Sequence, residues 1–517
     1  MRTRYRRSII GLLTVLLAVT ACGGASTGDT GASGPGSTLR FGMTVAPSGL
    51  DPHVTPTVVG QSMYVFPLYD RLTQIVTGPE VAPMVAQEWT FTPDSRSVTF
   101  TLRSDVTFHD GTPVDAEAVA KSLDRARLLP GSTVKSYLSM VSAVTAVDAR
   151  TLRIDANRPA GDLPYVLASS VGSIINPASL DRPGLDRVPD GSGPFVVSSV
   201  RLGDGVTYER APGYWDPAAG TLATLEIIGM TNDNARLSAL RSGQIDAMAA
   251  KVGQYDQTSR LGDGFRLHSF PAAATYAVWL NTARPPLDRA EVRQALNFAI
   301  DRDALDQAVL AGQCAPNGQP LTEVYRGSGY VDAPPVAYTR DVPKAKELLA
   351  QAGLPDGFEI RMLTGAGLSP QDKIAPVVQA QLAEIGVRVV IDPQDSVQVN
   401  SMWGKGTKYD AYLQNRTAGP TGAITLRDTY LLPSRFPGPV PPGFADSVNA
   451  AFTASLSPQQ VDETVRTAST IAIEQAMDVF LCAVPTQAAY SDRVTGMETA
   501  GQADFQGIFD LRYVSVS

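Results

Sequence analysis

The chain has 517 residues, a formal net charge of −8 at pH 7, three histidines and three cysteines. This length exceeds what one hydrophobic core organises, so two or more lobes are expected. The acidic balance argues against nucleic acid as a partner, because phosphate binding requires clustered Lys and Arg. No G-x-S-x-G, Walker A or G-x-G-x-x-G motif is present, so no short motif suggests an enzyme or a cofactor. The absence of these motifs does not exclude a catalytic triad, because the residues of a triad can be far apart in sequence.

The first 21 residues have the pattern of a secretory signal peptide. Four arginines between positions 2 and 7 precede an apolar run from Ile9 to Val19, which is shorter than the about 20 residues of a membrane span. The run ends in VTAC (19–22), which resembles the lipobox of bacterial lipoproteins. Such a cysteine takes a diacylglyceryl group and becomes the first residue after cleavage. The sequence thus predicts lipidation at Cys22, and the alternative is an ordinary signal peptide with an incidental cysteine.

The segment after Cys22 is expected to be a tether. Residues 23–37 contain six Gly and three Ser and cannot bury apolar surface, so residues 22–37 should form a flexible linker with an end-to-end distance of about 20 Å. Two acyl chains on Cys22 would give stable anchoring. Removal of the four arginines in residues 1–21 leaves 39 basic and 51 acidic residues, a net charge of −12. The expected location is the outer face of the cell membrane.

Short strands alternate with amphipathic helices along the rest of the chain, which predicts the α/β class. Residues 98–102 alternate apolar and polar side chains like a half-buried strand. Asp115 is positioned to cap the helix that follows, and Asp288 and Glu291 form a D-x-x-E pair that predicts a helix start. Asp341 is expected to cap a helix that ends before Gly353. A further helix is expected to end at Gly386 and to lead into a strand over 387–391.

Several segments resemble the family 5 extracellular solute-binding proteins, which include the dipeptide, oligopeptide and nickel receptors of ABC importers. The resemblance covers residues 38–517 and is carried by segments that appear in the family's order. In order they are LDP (50–52), YDRLT (69–73), FTLR (100–103), FHDGTP (108–113), GSGPF (191–195), APGYWDP (211–217), SGQID (242–246), PLDRAEVRQALNFAIDR (286–302), DVPKAKELLAQAG (341–353) and QAQLAEIGVRV (379–389). Most of these residues are expected to be structural. FHDGTP, for example, has turn chemistry at Asp110-Gly111, and His109 is expected to be a hydrogen-bonding residue.

The resemblance implies a two-lobed fold of the type II periplasmic-binding-protein kind, with an extra subdomain inserted in lobe I. The solute would bind between lobes that close by hinge motion. Carried onto this chain, the resemblance divides residues 38–517 into five segments, and the chain crosses between the lobes near residues 270 and 485. Lobe I comprises 38–81, 192–270 and 486–517, the inserted subdomain 82–191, and lobe II 271–485.

The resemblance also predicts where the solute binds. In the peptide receptors a Trp shortly before a lobe II strand reaches the ligand, and Trp403 matches it, before a strand predicted at 409–413. Tyr276, Trp279 and Asn281 lie on the strand that enters lobe II and predict an aromatic cleft wall with a few polar groups. Trp279 has the alternative of being a core residue.

One departure from the peptide receptors concerns charge. Their loop after that strand carries an Asp that pairs with the peptide's amino group, whereas the loop predicted here at 414–422 has no acid and carries Arg416. A guanidinium favours a carboxylate or another anion. Arg416 is therefore a candidate ligand for an anionic solute group, with the alternative that it points to solvent or pairs across the lobes.

The remaining cysteines form an even pair. Cys314 and Cys482 both map to lobe II, and export permits a disulfide between them; the alternative is a buried free thiol at Cys482. No metal site is expected.

The sequence therefore predicts a monomeric, lipid-anchored binding protein without a cofactor. It would capture a small solute, a peptide or a peptide-like molecule, and deliver it to the permease subunits of an ABC importer. Two alternatives from other functional classes are a secreted hydrolase and a sensor or adhesin that reuses the same fold.

Overall fold

The structure is a computed structural model that describes residues 37–55, 60–75, 81–366, 370–395, 398–404, 408–416, 418–500 and 509–517. The predicted signal peptide, Cys22 and residues 23–36 of the tether lie outside the described residues. All described residues belong to one compact unit. Within these ranges, no helix has the length and apolar character required to cross a bilayer.

Lobe I is built on a seven-stranded mixed sheet. Strand β1 lies inside it and runs parallel to β10 and β11, and the order is β12-β19-β11-β1-β10-β9-β8. Its first segments are β1 (Thr38–Met43), α1 (Ser62–Val65) and β2 (Thr73–Ile75), and β3 (Val81–Pro83) pairs with β2 at the predicted boundary with the inserted subdomain. After the inserted subdomain, lobe I continues with β8 (Phe195–Arg201), β9 (Gly205–Arg210), β10 (Thr224–Gly229), α4 (Asp233–Arg241), β11 (Ala247–Ala250), α5 (Tyr255–Thr258) and β12 (Phe265–Ser269). The returning C-terminal chain contributes β19 (Gln487–Ser491), β20 (Val494–Thr495), α14 (Met497–Ala500) and β21 (Ser515–Val516).

The inserted subdomain has its own four-stranded antiparallel sheet and its own hydrophobic core. Strand β5 alternates buried and half-buried residues, as its sequence predicts, and packs between β4 and β7 in the order β4-β5-β7-β6. The elements are β4 (Ala86–Phe91), β5 (Ser97–Leu102), α2 (Ala116–Leu128), β6 (Val141–Ala146), β7 (Thr151–Ala156) and α3 (Leu163–Val166).

Lobe II has a six-stranded sheet in the order β14-β18-β13-β17-β15-β16. Strands β13 and β18 are buried at every position, because helices and loops cover both faces of the sheet. The strands are β13 (Ala274–Leu280), β14 (Ala315–Pro316), β15 (Glu359–Gly365), β16 (Arg388–Gln394), β17 (Ala411–Arg416) and β18 (Asp478–Val484). The helices are α6 (Ala290–Ala299), α7 (Arg302–Leu305), α8 (Val342–Gln351), α9 (Gln371–Ala383), α10 (Val399–Gly404), α11 (Gly422–Tyr430), α12 (Phe444–Ala450) and α13 (Pro458–Glu474).

Two chain segments connect the lobes side by side. One joins β12 to β13 and the other joins β18 to β19, and the Phe270 amide donates to the Thr486 carbonyl at 2.8 Å. Cys314 and Cys482 form a disulfide with Cα atoms 5.2 Å apart, next to the short β14–β18 pairing. Each of the three large sheets takes all its strands from one predicted part of the chain, which is lobe I, the inserted subdomain or lobe II. The exact boundaries of these parts stay a prediction.

The local signals for helix ends are correct in most places. Asp115 and Asp341 cap their helices by accepting from the amides of Ala118 and Lys344. The capping prediction for Asp288 is wrong. The chain turns at 286–289, where the Arg289 amide donates to the Pro286 carbonyl, so the helix begins at Ala290 with Arg289 as an N-cap that makes no side-chain cap.

Strand β17 is longer than its sequence suggests. The predicted strand over 409–413 is found at Ala411–Arg416, so residues 414–416 are not in the loop but paired with β13. The reason is the pairing of β17 with β13, which sets Arg416 opposite Thr275 and Tyr412 opposite Trp279. A strand next to a long central neighbour continues the hydrogen-bond ladder of that neighbour.

Candidate functional site

The two faces of the lobe II sheet differ in composition. Side chains alternate along β13, so Tyr276, Val278 and Leu280 join the large lobe II core, whereas Ala277 and Trp279 lie on the other face. The structure therefore places the side chain of Tyr276, which was predicted to line the solute site together with Trp279, in the large lobe II core, because period-two alternation directs it away from the Trp279 face.

Three aromatic rings, which we call the aromatic wall, cluster on the second face: Trp279, Trp403 and Tyr412. The ring centroid of Trp279 lies 5.1 Å from that of Tyr412 and 6.4 Å from that of Trp403, in edge-to-face arrangements. The Trp403 indole donates to the Arg435 carbonyl at 3.1 Å. Burial raises the pKa of Tyr412 to about 12, so its hydroxyl is neutral and donates to Asn400 at 3.1 Å.

The indole N–H of Trp279 has no hydrogen-bond partner among the residues that the structure describes, although only 5% of this residue is exposed. A buried N–H without a partner costs about 1–3 kcal/mol. The same holds for the hydroxyl of Thr429 within the described ranges. The aromatic wall therefore presents one indole N–H whose hydrogen bond is not used within the described residues.

Arg416 lies against the aromatic wall, with its guanidinium carbon 3.8 Å from the ring centroid of Trp279. Its Nε and Nη2 donate to the two carboxylate oxygens of Asp478 at 2.9 and 2.5 Å, and Nη1 donates to the carbonyls of Thr429 and Arg435 at 3.4 and 3.2 Å. The side chains of Arg416 and Asp478 are 4% and 0% exposed.

Arg416, the residue predicted to bind an anionic group of the solute, thus already has a carboxylate partner within lobe II. The acids close to Arg416 in sequence do not include this partner, because Asp478 lies 62 residues away on β18. Tyr430 also donates to Asp478, at 2.9 Å. Burial raises the pKa of the Asp478 carboxyl, and the Arg416 guanidinium opposes this shift. The charge of Arg416 is thus compensated inside lobe II.

Asn281 follows β13 and is fully buried, where its side-chain amide donates to the Tyr409 carbonyl at 3.2 Å and its side-chain oxygen accepts from the Ala283 amide at 3.3 Å. These contacts hold the end of β13 to the start of β17. Nothing among the described residues groups three or more His, Cys, Asp or Glu side chains as a metal site.

A second buried polar cluster, in lobe I, explains several of the motif segments. Asp70 from YDRLT accepts from the Tyr214 hydroxyl at 2.7 Å, from the Trp215 indole at 2.9 Å and from the Ser192 hydroxyl at 3.2 Å. Arg512 from the returning chain adds a contact to Asp70 at 3.4 Å. Three motifs and the C-terminal segment therefore meet at one buried carboxylate, and their role is structural.

The FHDGTP segment is a turn, as predicted. Gly111 has φ +85°, Asp110 accepts from the amide and hydroxyl of Thr112, and the His109 ring lies 2.9 Å from the Gly193 carbonyl. The first motif has a comparable role, since both carboxylate oxygens of Asp51 accept from Arg125 on α2 at 3.0 and 2.6 Å. These contacts attach the inserted subdomain to lobe I.

Two large α/β sheets joined by two adjacent chain segments, with an aromatic wall on one of the sheets, are the features that the comparison with known proteins explains. The chain belongs to the bacterial extracellular solute-binding proteins, family 5, whose model matches residues 80–437. The glutathione-binding protein GsiB of Salmonella paratyphi A is 30% identical over 373 residues, which cover 69% of this chain and 70% of that protein. The Escherichia coli K12 protein of the same name is 28% identical over the same shares.

Solved structures show the same fold. The chain matches AgaA of A. tumefaciens R10, solved with agropinic acid, at 25% identity and a TM-score of 0.80, over 93% of this chain and 99% of that one. It matches DppA of Helicobacter pylori, solved with the peptide STSA, at 22% identity and a TM-score of 0.79, over 93% and 98%. The α/β binding-protein fold and the class of non-enzymatic receptor for an ABC importer are thus confirmed, and the family gives the hydrolase alternative no support.

Proposed function

We propose that this protein binds a peptide or a peptide-like solute at the aromatic wall and hands it to the permease subunits of its importer. The observation that carries this proposal is the buried indole N–H of Trp279, which has no partner among the described residues. An acceptor group of the solute, such as a peptide carbonyl, would satisfy it. Solute sites typically combine aromatic walls with a few such polar groups.

The relatives support this class of solute. The similar proteins bind glutathione, a peptide and agropinic acid, as their names state, and these ligands share amide or carboxylate oxygens that accept hydrogen bonds. We propose that Trp279 and Trp403 contact the solute, that Asn281 fixes the end of β13, and that Arg416 acts as a positioning residue that holds the Trp279 ring.

The Arg416–Asp478 pair supports a proposal about the charge of the solute. The peptide receptors that the chain resembles use an acid at the Arg416 position to bind an amino group, and here that position is a compensated cation. A free ammonium placed there would be desolvated without a partner, which is costly. We therefore propose a solute whose group at this position is neutral, such as an acylated, cyclised or otherwise blocked amine.

The test begins with mass spectrometry of the solute released from purified protein, followed by titration calorimetry with that solute. Trp279→Phe keeps a ring and removes the N–H, so we expect roughly tenfold weaker binding for a lost hydrogen bond of about 1.4 kcal/mol. Tyr276→Phe, on the opposite face of the same strand, is the matched control and should bind as wild type does. Equal affinities of Trp279→Phe and wild type would remove Trp279 from the site.

We further propose that the mature protein is anchored by lipid on Cys22 at the outer face of the cell membrane. The VTAC segment and the Gly/Ser-rich residues behind it support this, and the family is extracellular. Two acyl chains would give stable attachment, and the tether would place the receptor close to its importer.

A further inference from the structure

The inserted subdomain touches lobe II directly. The Gly161 amide donates to the Phe452 carbonyl at 2.9 Å, and the Ala454 amide donates to the Ser95 hydroxyl at 2.6 Å. Within the subdomain, the Ala160 amide donates to the Ser95 carbonyl at 2.9 Å, which holds the two contacting segments together. We call this contact between Ser95, Arg158–Asp162, Arg427 and Phe452–Ala454 the bridge.

A buried ion pair lies at the centre of the bridge. Arg427 on α11 of lobe II donates to Asp162 of the subdomain, and the two side chains are 12% and 1% exposed. Arg427 also donates to its neighbour Asp428 at 2.9 Å. The guanidinium carbon of Arg427 lies 5.0 Å from the ring centroid of Phe452, and that of Arg158 lies 5.9 Å from it on the subdomain side. Charges from both bodies therefore converge on one ring.

The bridge leaves no space for a side chain at Gly161. A Cβ atom there would lie 2.5 Å from the Phe452 carbonyl oxygen, which is main chain and cannot rotate away. Gly161 is not one of the glycines with a positive φ angle. Its backbone conformation would therefore accept alanine without strain. The glycine is required only by the contact with lobe II.

The subdomain is also held to lobe I, by contacts that do not involve the bridge. Arg125–Asp51 and His109–Gly193 attach it to lobe I, and Trp215 of lobe I packs against its core under the guanidinium of Arg103, 4.2 Å from the ring centroid. The covalent links between the lobes are the segments around 270–273 and 485–486. Rotation about those segments would carry the subdomain away from lobe II and break the bridge.

We propose that the bridge is a closing latch: it stabilises the closed arrangement of the lobes without touching the solute, and thereby raises the affinity for solute. A contact present only in the closed arrangement shifts the open–closed equilibrium by its free energy, and the apparent affinity follows the closed fraction. The inference rests on the receptor class of the protein and not on the identity of the solute.

The experiment measures lobe opening by small-angle X-ray scattering of the full mature chain, stripped of solute by unfolding and refolding with its disulfide intact. Asp162→Asn removes the ion pair, and Gly161→Ala separates the surfaces sterically. Both should increase the radius of gyration and the maximum dimension relative to wild type. After the solute has been identified, both should also weaken binding roughly tenfold, within the usual range of coupling between sites.

Two matched variants serve as controls. Asp155→Asn removes a carboxylate of the same subdomain that pairs with the exposed Arg153, and Gly318→Ala adds a Cβ atom at an ordinary 3.6 Å contact. Both should scatter as wild type does, and thermal unfolding checks that every variant is folded. Unchanged scattering of folded Asp162→Asn and Gly161→Ala overturns the latch, as does opening of the two control variants to the same extent.

Discussion

At the scale of single residues, Arg416 shows that a partner distant in sequence can compensate a charge that its sequence neighbours leave unpaired. Its guanidinium is buried, stacked on Trp279 and paired with Asp478. A buried pair contributes little against a well-packed apolar replacement, but removal of one partner leaves a desolvated charge. The pair therefore fixes the geometry of the aromatic wall, and its two members depend on each other.

We predict that Asp478→Ala lowers the free energy of unfolding by about 3–5 kcal/mol, because Arg416 would be left buried without its carboxylate. The double variant Arg416→Met with Asp478→Leu should recover a large part of this loss. Denaturant unfolding followed by tryptophan fluorescence measures both. A single variant as stable as wild type would mean that solvent reaches Arg416 and replaces its partner.

His53 supplies a prediction about pH. Its pKa is lowered from 6.5 to about 4, first by burial and also by the nearby Arg125 guanidinium, with Asp51 acting in the opposite direction. The unfolded chain therefore binds a proton below pH 6.5 that the folded protein does not accept until about pH 4. Stability should fall over this interval as pH falls, by about 3 kcal/mol at 1.36 kcal/mol per pKa unit.

The measurement is the free energy of unfolding of wild type and His53→Gln between pH 7 and pH 4. The variant should lose less stability over this range than wild type does, because it lacks the imidazole that the unfolded chain protonates. Parallel curves for wild type and His53→Gln would contradict the assignment.

At the scale of secondary-structure elements, the short strand β14 depends on its disulfide. It makes only a two-residue pairing with β18, and Cys314, directly before it, is bonded to Cys482 on β18. A crosslink over 168 residues stabilises by up to about 5 kcal/mol in the chain-entropy model. We predict a lower thermal midpoint after reduction or in Cys314→Ser with Cys482→Ser.

Peptide mapping without reductant tests the bond itself, and recovery of both cysteines as free thiols would rule it out. Wild type and the double serine variant should unfold alike in the presence of reductant, which serves as the internal control.

At the scale of the whole molecule, the anchor decides where the receptor works. We predict that Cys22→Ser moves the protein from the membrane fraction to the soluble fraction, because the variant cannot receive the acyl chains that give stable attachment. Cell fractionation with detection of the receptor measures this, and a Ser26→Ala variant in the tether is the control. A Cys22→Ser protein that stays with the membrane as wild type does would refute the anchor.

The sequence by itself determined the α/β class, the family and most helix boundaries. These features depend on local chemistry, such as Asp115 and Asp341 as caps or Gly111 in its turn, and on ordered motifs along the chain. Helix caps and turns depend on a few neighbouring residues, so they can be predicted without knowledge of the fold.

Only the tertiary structure decided the character of the site. It extended β17 to Arg416, placed Tyr276 in the core through strand alternation, and supplied Asp478 as the partner of Arg416 from 62 residues away. It also joined Asp162 to Arg427 across 265 residues. Charge compensation and burial depend on which segments meet in space, and no local pattern around Arg416 or Arg427 records the identity of the segment that packs against it.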